Sequence, residues 1–286
     1  MTVAKLKPAL YEQHDFFLAD ISDVAGKDDR HSMEHPFFSL KKSKDTTPVR
    51  YEFRNTVIEI TPSSLGRPTM WDKDLLVYGF SQLVEGINRG RADSKNRKIR
   101  FTAHDFLKTT NRPINKGEYD RIEESLERLK MTGFKSNMVM GGNRRKEQVS
   151  WIDSWSVVER TSDGRMEAIE FTLSEWVFAS IQAMEVLTIN RDYFRLGRSL
   201  EKRLYEMARK HCGSAQESWT VSEDTLRIKS GSQSPPKEFA RMMREVIADQ
   251  NLPDYGVSHD KAAGVYVFYR TTGVAKVIGA NSNESS

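Results

Sequence analysis

Apolar residues recur along the first half of the chain at two spacings, which predict helices and strands in a definite order. Residues 76–87 repeat apolar side chains at helical spacing. A short strand follows and turns into a helix capped by Thr102, because a threonine oxygen satisfies a free backbone amide at a helix start. A second helix is predicted over 116–131. Two strand-like runs, 134–140 and 148–159, then predict a hairpin with a basic turn.

The second half of the chain repeats this order of elements. A long helix marked by Leu196, Leu200, Leu204 and Met207 is predicted to end near Gly213, and a strand that turns into a capped helix follows over 219–226. A serine-rich loop ends at Pro235 and Pro236, which favour the start of the next helix because proline is tolerated in the first helical turn. A hairpin that turns at 260–264 closes this half.

Helix, strand, helix, loop, helix and hairpin is the element order of a winged helix, a helix-turn-helix with an added β-hairpin. We therefore predict an α+β fold with two tandem winged-helix domains related by pseudo-twofold repetition. The polar start of the chain, residues 1–35, is predicted to be an arm of uncertain order. The first domain is placed at 36–183, the second at 184–273, and a disordered tail at 274–286.

The composition is that of a globular protein in water. The 286 residues are 38% hydrophobic and 29% charged, and no apolar run has the length of a membrane span. The first residues lack the apolar segment of a secretion signal, so we expect a cytoplasmic protein with no membrane partner. A single cysteine, Cys212, excludes an internal disulfide. The net charge of +4 favours a polyanionic partner only weakly, so the positions of the cations matter more.

Cations of the second half lie where a DNA-binding winged helix needs them: on its second helix, near the loop before it and on the wing. Phosphate contacts supply affinity, and long side chains of the second helix reach base edges in the major groove. The candidate DNA contacts of this half are Lys237, Arg241, Arg244, Lys261, Arg198 and Lys202. A solvated helix face is the alternative explanation, because the same helix also carries acidic residues.

The second helix of the first half is mixed in charge, with five acidic residues among its cations. This much acid argues against base contacts by that helix. We therefore expect the first half to contact the DNA backbone or another protein, and the second half to read bases. The candidate DNA contacts of the first half are Arg112, Lys116, Arg144, Arg145 and Lys146.

Residues for catalysis or cofactor binding are not evident. The sequence has no glycine-rich phosphate loop, and no two histidines have the spacing of a rolling-circle nickase. The pattern His31-Ser-Met-Glu-His35 matches an inverted zinc-protease motif, but short motifs of this kind often match by accident. We therefore expect no enzyme activity, no cofactor and no metal.

Three alternatives stay open at the level of sequence. A winged-helix transcriptional regulator without a role in replication initiation would change its DNA binding in response to a small molecule. A nickase or a primase would cleave DNA with a metal or synthesise primers. A single-strand-binding protein would use Trp151, Trp155 and Trp219 as stacking platforms, although their apolar neighbours favour burial in the core.

Several longer stretches resemble one protein family. They are Phe17-Leu-Ala-Asp-Ile21, Lys27-Asp-Asp-Arg30, Ser32-Met-Glu-His-Pro36, Trp71-Asp-Lys-Asp-Leu-Leu-Val-Tyr78, Arg191-Asp-Tyr-Phe-Arg-Leu196 and Arg203-Leu-Tyr-Glu-Met-Ala-Arg-Lys-His-Cys-Gly213. Through them the chain resembles the replication initiator protein A family of bacterial plasmids, the RepA-like initiators. The stretches are spread over most of the chain, so the match is far more specific than a short motif. The resemblance also assigns His31 and His35 to a family sequence block and not to a metal site.

The resemblance implies a cytoplasmic plasmid replication initiator that binds repeats, or iterons, in the plasmid origin and thereby takes part in copy control. It implies that the protein helps to open the duplex and recruits the host replication initiator and the replicative helicase. It also implies a homodimer that represses its own gene, with dimerisation by the first winged helix and the main base contacts by the second. No leucine-repeat segment lies near the N-terminus, so the mode of dimerisation stays open.

Overall fold

Four stretches of the chain are described by the computed structural model of the protein: residues 15–137, 148–159, 166–213 and 216–271. The helices in these stretches are α1 (Arg30–Glu34), α2 (Lys73–Asn88), α3 (Ala103–Thr109), α4 (Lys116–Met131), α5 (Glu175–Gln182), α6 (Ser199–His211), α7 (Glu223–Ser230) and α8 (Pro236–Asp249). The strands are β1 (Phe17–Leu18), β2 (Gly26–Asp29), β3 (Val49–Phe53), β4 (Thr56–Thr61), β5 (Lys98–Phe101), β6 (Gly133–Ser136), β7 (Ile152–Glu159), β8 (Met166–Leu173), β9 (Val186–Ile189), β10 (Ser218–Ser222), β11 (Tyr255–Asp260) and β12 (Val265–Arg270).

We call the elements α2, β5, α3, α4, β7 and β8 the first unit. In this unit a long helix is followed by a strand, two helices and a hairpin. Strand β5 pairs with β8, and β8 pairs with β7, so the strand before the two helices lies beside the hairpin that follows them. Thr102 caps α3 as predicted, because its hydroxyl accepts a hydrogen bond from the backbone N of Asp105 at 3.1 Å. The predicted helix over 116–131 is confirmed by α4.

The second unit consists of α6, β10, α7, α8, β11 and β12. It has the same order of elements and the same strand pairing as the first unit. Strand β10 pairs with β12, and β12 pairs with β11. The hydroxyl of Ser222 caps α7 by accepting a hydrogen bond from the backbone N of Thr225 at 3.3 Å. Gly231 ends α7 at a φ of 75°, a left-handed conformation that glycine adopts without steric cost. The predicted helix at Pro235 and Pro236 is confirmed, since α8 begins there.

The predicted hairpin of the first half is wrong in its pairing. Strand β6 pairs with β4 in a separate sheet of β3, β4 and β6, and its strand-like pairing with the described part of the run 148–159 is limited to an isolated bridge from Phe134 to Val149. The hairpin partner of β7 is β8. The sequence between β7 and β8 contains Asp163-Gly164, a dipeptide typical of hairpin turns.

The prediction of an arm over residues 1–35 is wrong for residues 15–35, which pack against both units. Phe17 is fully buried and lies so close to Gly86 of α2 that a Cβ there would be 2.5 Å from its ring. Strand β2 pairs antiparallel with β9, which follows the predicted domain boundary at 183. The polar composition of this segment suggested an arm, but its aspartates form contacts within the fold. Asp29, for example, caps α1 by accepting a hydrogen bond from Ser32 N at 2.7 Å.

Buried apolar side chains form two clusters, one for each unit. The first includes Phe101 and Phe171, and the second includes Met243 and Phe268. Val77 lies on α2 of the first unit but belongs to the second cluster. Helix α2 therefore contacts both clusters and lies at the boundary between the units.

Buried charges join α2 to α6 at this boundary. The Nζ atom of Lys73 lies 2.7 Å from Asp28 and 2.8 Å from Glu206, and these side chains are at most 1% exposed. Lys202 lies one helical turn before Glu206 on α6, and its ammonium group contacts both carboxylate oxygens of Asp74, at 2.8 and 2.9 Å. An unpaired buried charge is strongly destabilising, so these ion pairs favour one arrangement of α2 and α6.

Arg203 of α6 extends the same network to α1 and α7. Its guanidinium donates hydrogen bonds to the carbonyl oxygens of Ser32 and Met33, both at 2.9 Å, and of Lys229, also at 2.9 Å. It also lies 3.3 Å from the carboxylate of Glu206. One side chain thus connects the N-terminal segment, α6 and the end of α7.

Burial changes the ionisation of this network. It raises the pKa of Asp28 to about 7, although the ammonium group of Lys73 acts in the opposite direction. Burial alone would lower the pKa of Lys73, but the carboxylates of Asp28 and Glu206 outweigh burial and raise it. Lys73 therefore stays charged, and Asp28 is the group that takes up a proton as the pH falls below about 7.

His35 is a buried histidine whose titration makes stability depend on pH. It is 8% exposed and lies edge-on to Tyr51, with ring centroids 5.8 Å apart. Burial lowers its pKa to about 4, below the ordinary value of 6.5. Between these pH values the unfolded chain binds a proton that the folded chain does not, so stability is lost as the pH falls. We expect His35→Asn to remove up to about 2 kcal/mol of the loss between about pH 6.5 and 5, measured by urea unfolding.

His104 provides the matched control, because its side chain is 56% exposed at the start of α3. The variant His104→Asn should show the pH dependence of the wild type. Equal pH dependence in His35→Asn and in the wild type would contradict the prediction.

Candidate nucleic-acid interface

Helix α8 presents one apolar and one charged face. Phe239, Met243 and Val246 are buried in the second core cluster, which fixes the rotation of the helix. Lys237 and Arg244 are therefore exposed on the opposite face. Proline at the N-cap and in the first turn begins the helix without requiring a backbone donor. The face opposite the core is thus free to contact a partner.

The cations on this face differ in their neighbours. Arg241 is half-exposed and forms ion pairs along the helix with Glu238, at 2.7 Å, and with Glu245. Lys237 and Arg244 make no ion pair with any residue that the structure describes. A polyanion would therefore compete with carboxylates at Arg241 but not at the other two positions.

The turn between β11 and β12 presents Lys261 to solvent. The carboxylate of Asp260 holds this turn by accepting hydrogen bonds from the backbone N atoms of Ala262 and Ala263, both at 3.0 Å. At the base of the turn His259 contacts Glu223 of α7 at 2.6 Å. Lys261 is thus an exposed cation on an ordered hairpin of the second unit.

Arg198 lies at the start of α6 and is also exposed. Its guanidinium contacts Asp249 of α8 at 2.7 Å, and that ion pair raises the pKa of Arg198 further. Arg198 therefore connects the first helix of the second unit to the end of α8.

The corresponding helix of the first unit, α4, starts at the exposed residue Lys116. Asn115 caps α4 by accepting a hydrogen bond from Glu118 N at 3.1 Å. Ile122, Leu126 and also Glu118 are buried, whereas the acids Asp120 and Glu124 are exposed, as are the cations Lys116 and Arg121. This arrangement agrees with the expectation that α4 is the weaker candidate for base contacts.

Two predicted DNA contacts are structural residues, and for them the prediction is corrected. Lys202 is 0% exposed because it forms the buried ion pair with Asp74. Arg112 is 12% exposed and contacts the same carboxylate at 2.8 Å and the carbonyl oxygen of Trp71 at 2.6 Å. Both partners are remote in sequence, so charge spacing along one helix gave no sign of them.

The remaining predicted contacts, Arg144, Arg145 and Lys146, lie outside the described residues. Their role as phosphate contacts stays a prediction.

A basic loop that sequence analysis missed lies between the two units. It is the run Lys41-Lys-Ser-Lys44, and all four residues are exposed. Arg67 lies beside it, buried and paired with Asp45 at 3.1 Å, and burial lowers the pKa of Arg67. Three lysines within four residues were the available signal, directly after the apolar run 37–40.

The tryptophans proposed as stacking platforms are engaged within the fold. Trp151 is 1% exposed and packs on Phe38. Trp155 donates a hydrogen bond to Glu127 at 3.0 Å. Trp219 stacks on His211, with ring centroids 4.2 Å apart. These contacts favour the structural interpretation of all three residues.

The histidines of the zinc-protease pattern lie on and beside the short helix α1. His31 contacts Glu185 at 3.3 Å, whereas His35 is buried against Tyr51. Among the described residues, no group of three or more histidine, cysteine, aspartate or glutamate side chains has the geometry to hold a metal. Among the described helices, none has both the length and the apolar composition of a bilayer span.

Comparison with known proteins identifies relatives over most of the chain. A model of the family "Replication initiator protein A" matches residues 27–257. A protein of Wigglesworthia glossinidia brevipalpis, named "Putative replication protein", is 34% identical over 258 residues, which are 89% of this chain and 92% of that protein.

Solved structures show a related fold at low sequence identity. Two crystal structures of domains 2 and 3 of RctB match with TM-scores of 0.56 and 0.54, each at 14% identity. The matches cover 82% and 84% of this chain, and 94% and 95% of the RctB chains. At this identity the similarity concerns the fold alone.

Proposed function

Because the chain belongs to the replication initiator protein A family, we propose that it starts plasmid replication by binding repeats in the plasmid origin sequence-specifically. The main structural support for DNA binding is the exposed cationic face of α8, which lies opposite the buried apolar face of that helix. The hairpin turn at Lys261 adds a further exposed cation in the same unit. Both units share the order of helix, strand, two helices and hairpin, which we interpret as two winged helices.

In this proposal α8 is the recognition helix and enters the major groove. Lys237 and Arg244 have the reach for base edges or for the phosphates that flank them. Lys261, on the hairpin turn, contacts a backbone phosphate beside the groove. Helix α4 of the first unit contacts the backbone through Lys116, while its acidic positions face away from DNA or toward a protein.

The finer roles rest on membership of the family. We propose that the bound protein helps to open the duplex and recruits the host replication initiator and the replicative helicase. We also propose that a homodimer represses the gene of the protein. No catalytic step is assigned to the protein, so DNA cleavage and primer synthesis are left to other proteins.

Footprinting of the purified protein on the plasmid origin tests base recognition. We expect protection of regularly spaced repeats, and an affinity about a thousandfold or more above that for a scrambled duplex of the same length and composition. Salt titration on both duplexes separates the phosphate contribution from the base contribution.

Uniform weak binding that disappears with salt would contradict base recognition. Specific binding that a small molecule controls, without any effect on replication of an origin plasmid, would favour a transcriptional regulator.

A further inference from the structure

Two clefts adjoin the basic loop Lys41-Lys-Ser-Lys44. The first cleft has a volume of about 620 Å³ and is lined by Arg241 and neighbouring residues of α8. The second has a volume of about 810 Å³ and is lined by Arg121 and neighbouring residues of α4. Lys42 and Arg67 line both clefts, so the clefts meet at these residues. The loop therefore lies between the second helices of the two units.

The first cleft contains buried polar atoms without a partner in the described part of the chain. Arg67 is 3% exposed, and its Nε atom donates no hydrogen bond there. Ser199 is 6% exposed, and its hydroxyl is likewise without a partner. Both residues line the cleft. Both atoms have almost no solvent-exposed surface, so they are not open to a ligand, and the exposed lysines of the loop are the residues able to contact one.

The charges around the clefts favour an anion. Asp45 is shared by Arg67, at 3.1 Å, and Lys41, at 3.5 Å. Lys42 and Lys44 make no ion pair with any described residue. The loop before α8, residues 232–234, places the positive end of that helix dipole at the first cleft. Four acids also line the clefts, but each already contacts an arginine: Asp72 and Glu124 contact Arg128, Glu118 contacts Arg121, and Glu245 contacts Arg241.

We propose that the loop Lys41-Lys-Ser-Lys44 and the two clefts bind the phosphodiester backbone of origin DNA between the segments contacted by α4 and α8. This inference rests on the proposed function, because it requires both helices to contact one duplex. Lys42 and Lys44, which are exposed, then neutralise phosphates of the backbone. Contacts of this kind give affinity and orientation without reading sequence.

The double variant Lys42→Ala/Lys44→Ala tests the inference. We expect the slope of log affinity against log salt to fall by about 2, because each lost phosphate contact contributes about 0.9. Affinity for the origin repeat and for the scrambled duplex should fall by the same factor. Hydroxyl-radical protection should disappear from the backbone between the two contacted segments and remain at the segment contacted by α8.

Lys108→Ala/Lys135→Ala is the matched control. It removes the same charge from exposed positions that line neither cleft, and its salt slope should equal that of the wild type. Circular dichroism and thermal unfolding of both double variants show whether the fold is intact.

The outcomes separate this inference from the proposed function. If the wild type prefers origin repeats but Lys42→Ala/Lys44→Ala keeps the full salt slope, the backbone site is wrong and the proposed function stands. If the wild type shows no preference but the double variant loses the slope, the backbone site stands and base recognition fails. Saturable binding of inorganic phosphate that the double variant abolishes, with an unchanged slope on DNA, would overturn the inference in favour of a small-anion site.

Discussion

Replacement of Lys73 by alanine is expected to lower the free energy of unfolding by about 3–5 kcal/mol. The ammonium group lies 2.7 Å from Asp28 and 2.8 Å from Glu206, and all three side chains are buried. Without Lys73 the buried carboxyl groups of Asp28 and Glu206 lose the cation between them, so Asp28, whose pKa is already raised to about 7, takes up a proton and Glu206 loses one ion-pair partner. The measurement is urea unfolding at neutral pH, followed by tryptophan fluorescence and circular dichroism.

Lys98→Ala is the control for this prediction, because it removes a partly exposed lysine that pairs with Asp15 at 2.9 Å. A surface ion pair of this kind contributes less than about 1 kcal/mol. If Lys73→Ala does not fold, the double variant Asp28→Asn/Lys73→Met should regain part of the stability, because only Glu206 then stays charged. Equal unfolding midpoints for Lys73→Ala and the wild type would show that the network does not stabilise the fold.

Loss of Lys237 and Arg244 together is expected to weaken binding to an origin repeat by about 2–6 kcal/mol, since each base contact contributes about 1–3 kcal/mol. The two residues are seven positions apart, which is about 10 Å along the helix, so their effects should add. Binding to the scrambled duplex should weaken less, and the ratio of the two affinities should fall. Competition binding at two salt concentrations measures both quantities.

Arg241→Ala should weaken binding to the origin repeat less than Lys237→Ala or Arg244→Ala alone. Arg241 must first break its ion pairs with Glu238 and Glu245 to reach DNA. Lys108→Ala/Lys135→Ala serves again as the matched control of charge. Normal affinity of Lys237→Ala/Arg244→Ala for its repeat would show that another face of the protein reads the bases.

Local signals were sufficient to predict most helices. Helix α4 has a strong apolar repeat and an asparagine cap, and its predicted bounds agree with the structure. Helix α8 has two prolines at its start and one apolar face. In both cases the signals lie within about one turn of the residues that they affect, so a single stretch of sequence contains them.

Non-local pairing explains what the sequence did not reveal. On α6 the apolar spacing identified Leu204 and Met207 as inward, but Lys202, Arg203 and Glu206 are buried as well. The helix is covered on both sides, by its own unit and by the N-terminal segment, so its charged face is also inside. A lysine whose partner is more than a hundred positions away cannot be distinguished by spacing from one in solvent.

The candidate interface likewise contains one part that could be predicted from local sequence and one part that could not. The exposed positions of α8 follow from the helical period, whereas the importance of Lys41-Lys-Ser-Lys44 depends on the packing of two units against each other. A short basic run is common on protein surfaces, and only its place between two clefts distinguishes this one.

The pairing of β2 with β9 and the contacts of Asp28 and Arg203 also determine when the protein can complete its fold during synthesis. Residues 26–29 leave the ribosome early, but their strand partner follows about 160 positions later, and Glu206 later still. Until then β2 is an unpaired edge and Asp28 and Lys73 lack Glu206. The first unit therefore completes its packing only after β9 and α6 have been made, and a chain that stops before β9 ends with an open sheet edge, a substrate for chaperones and proteases.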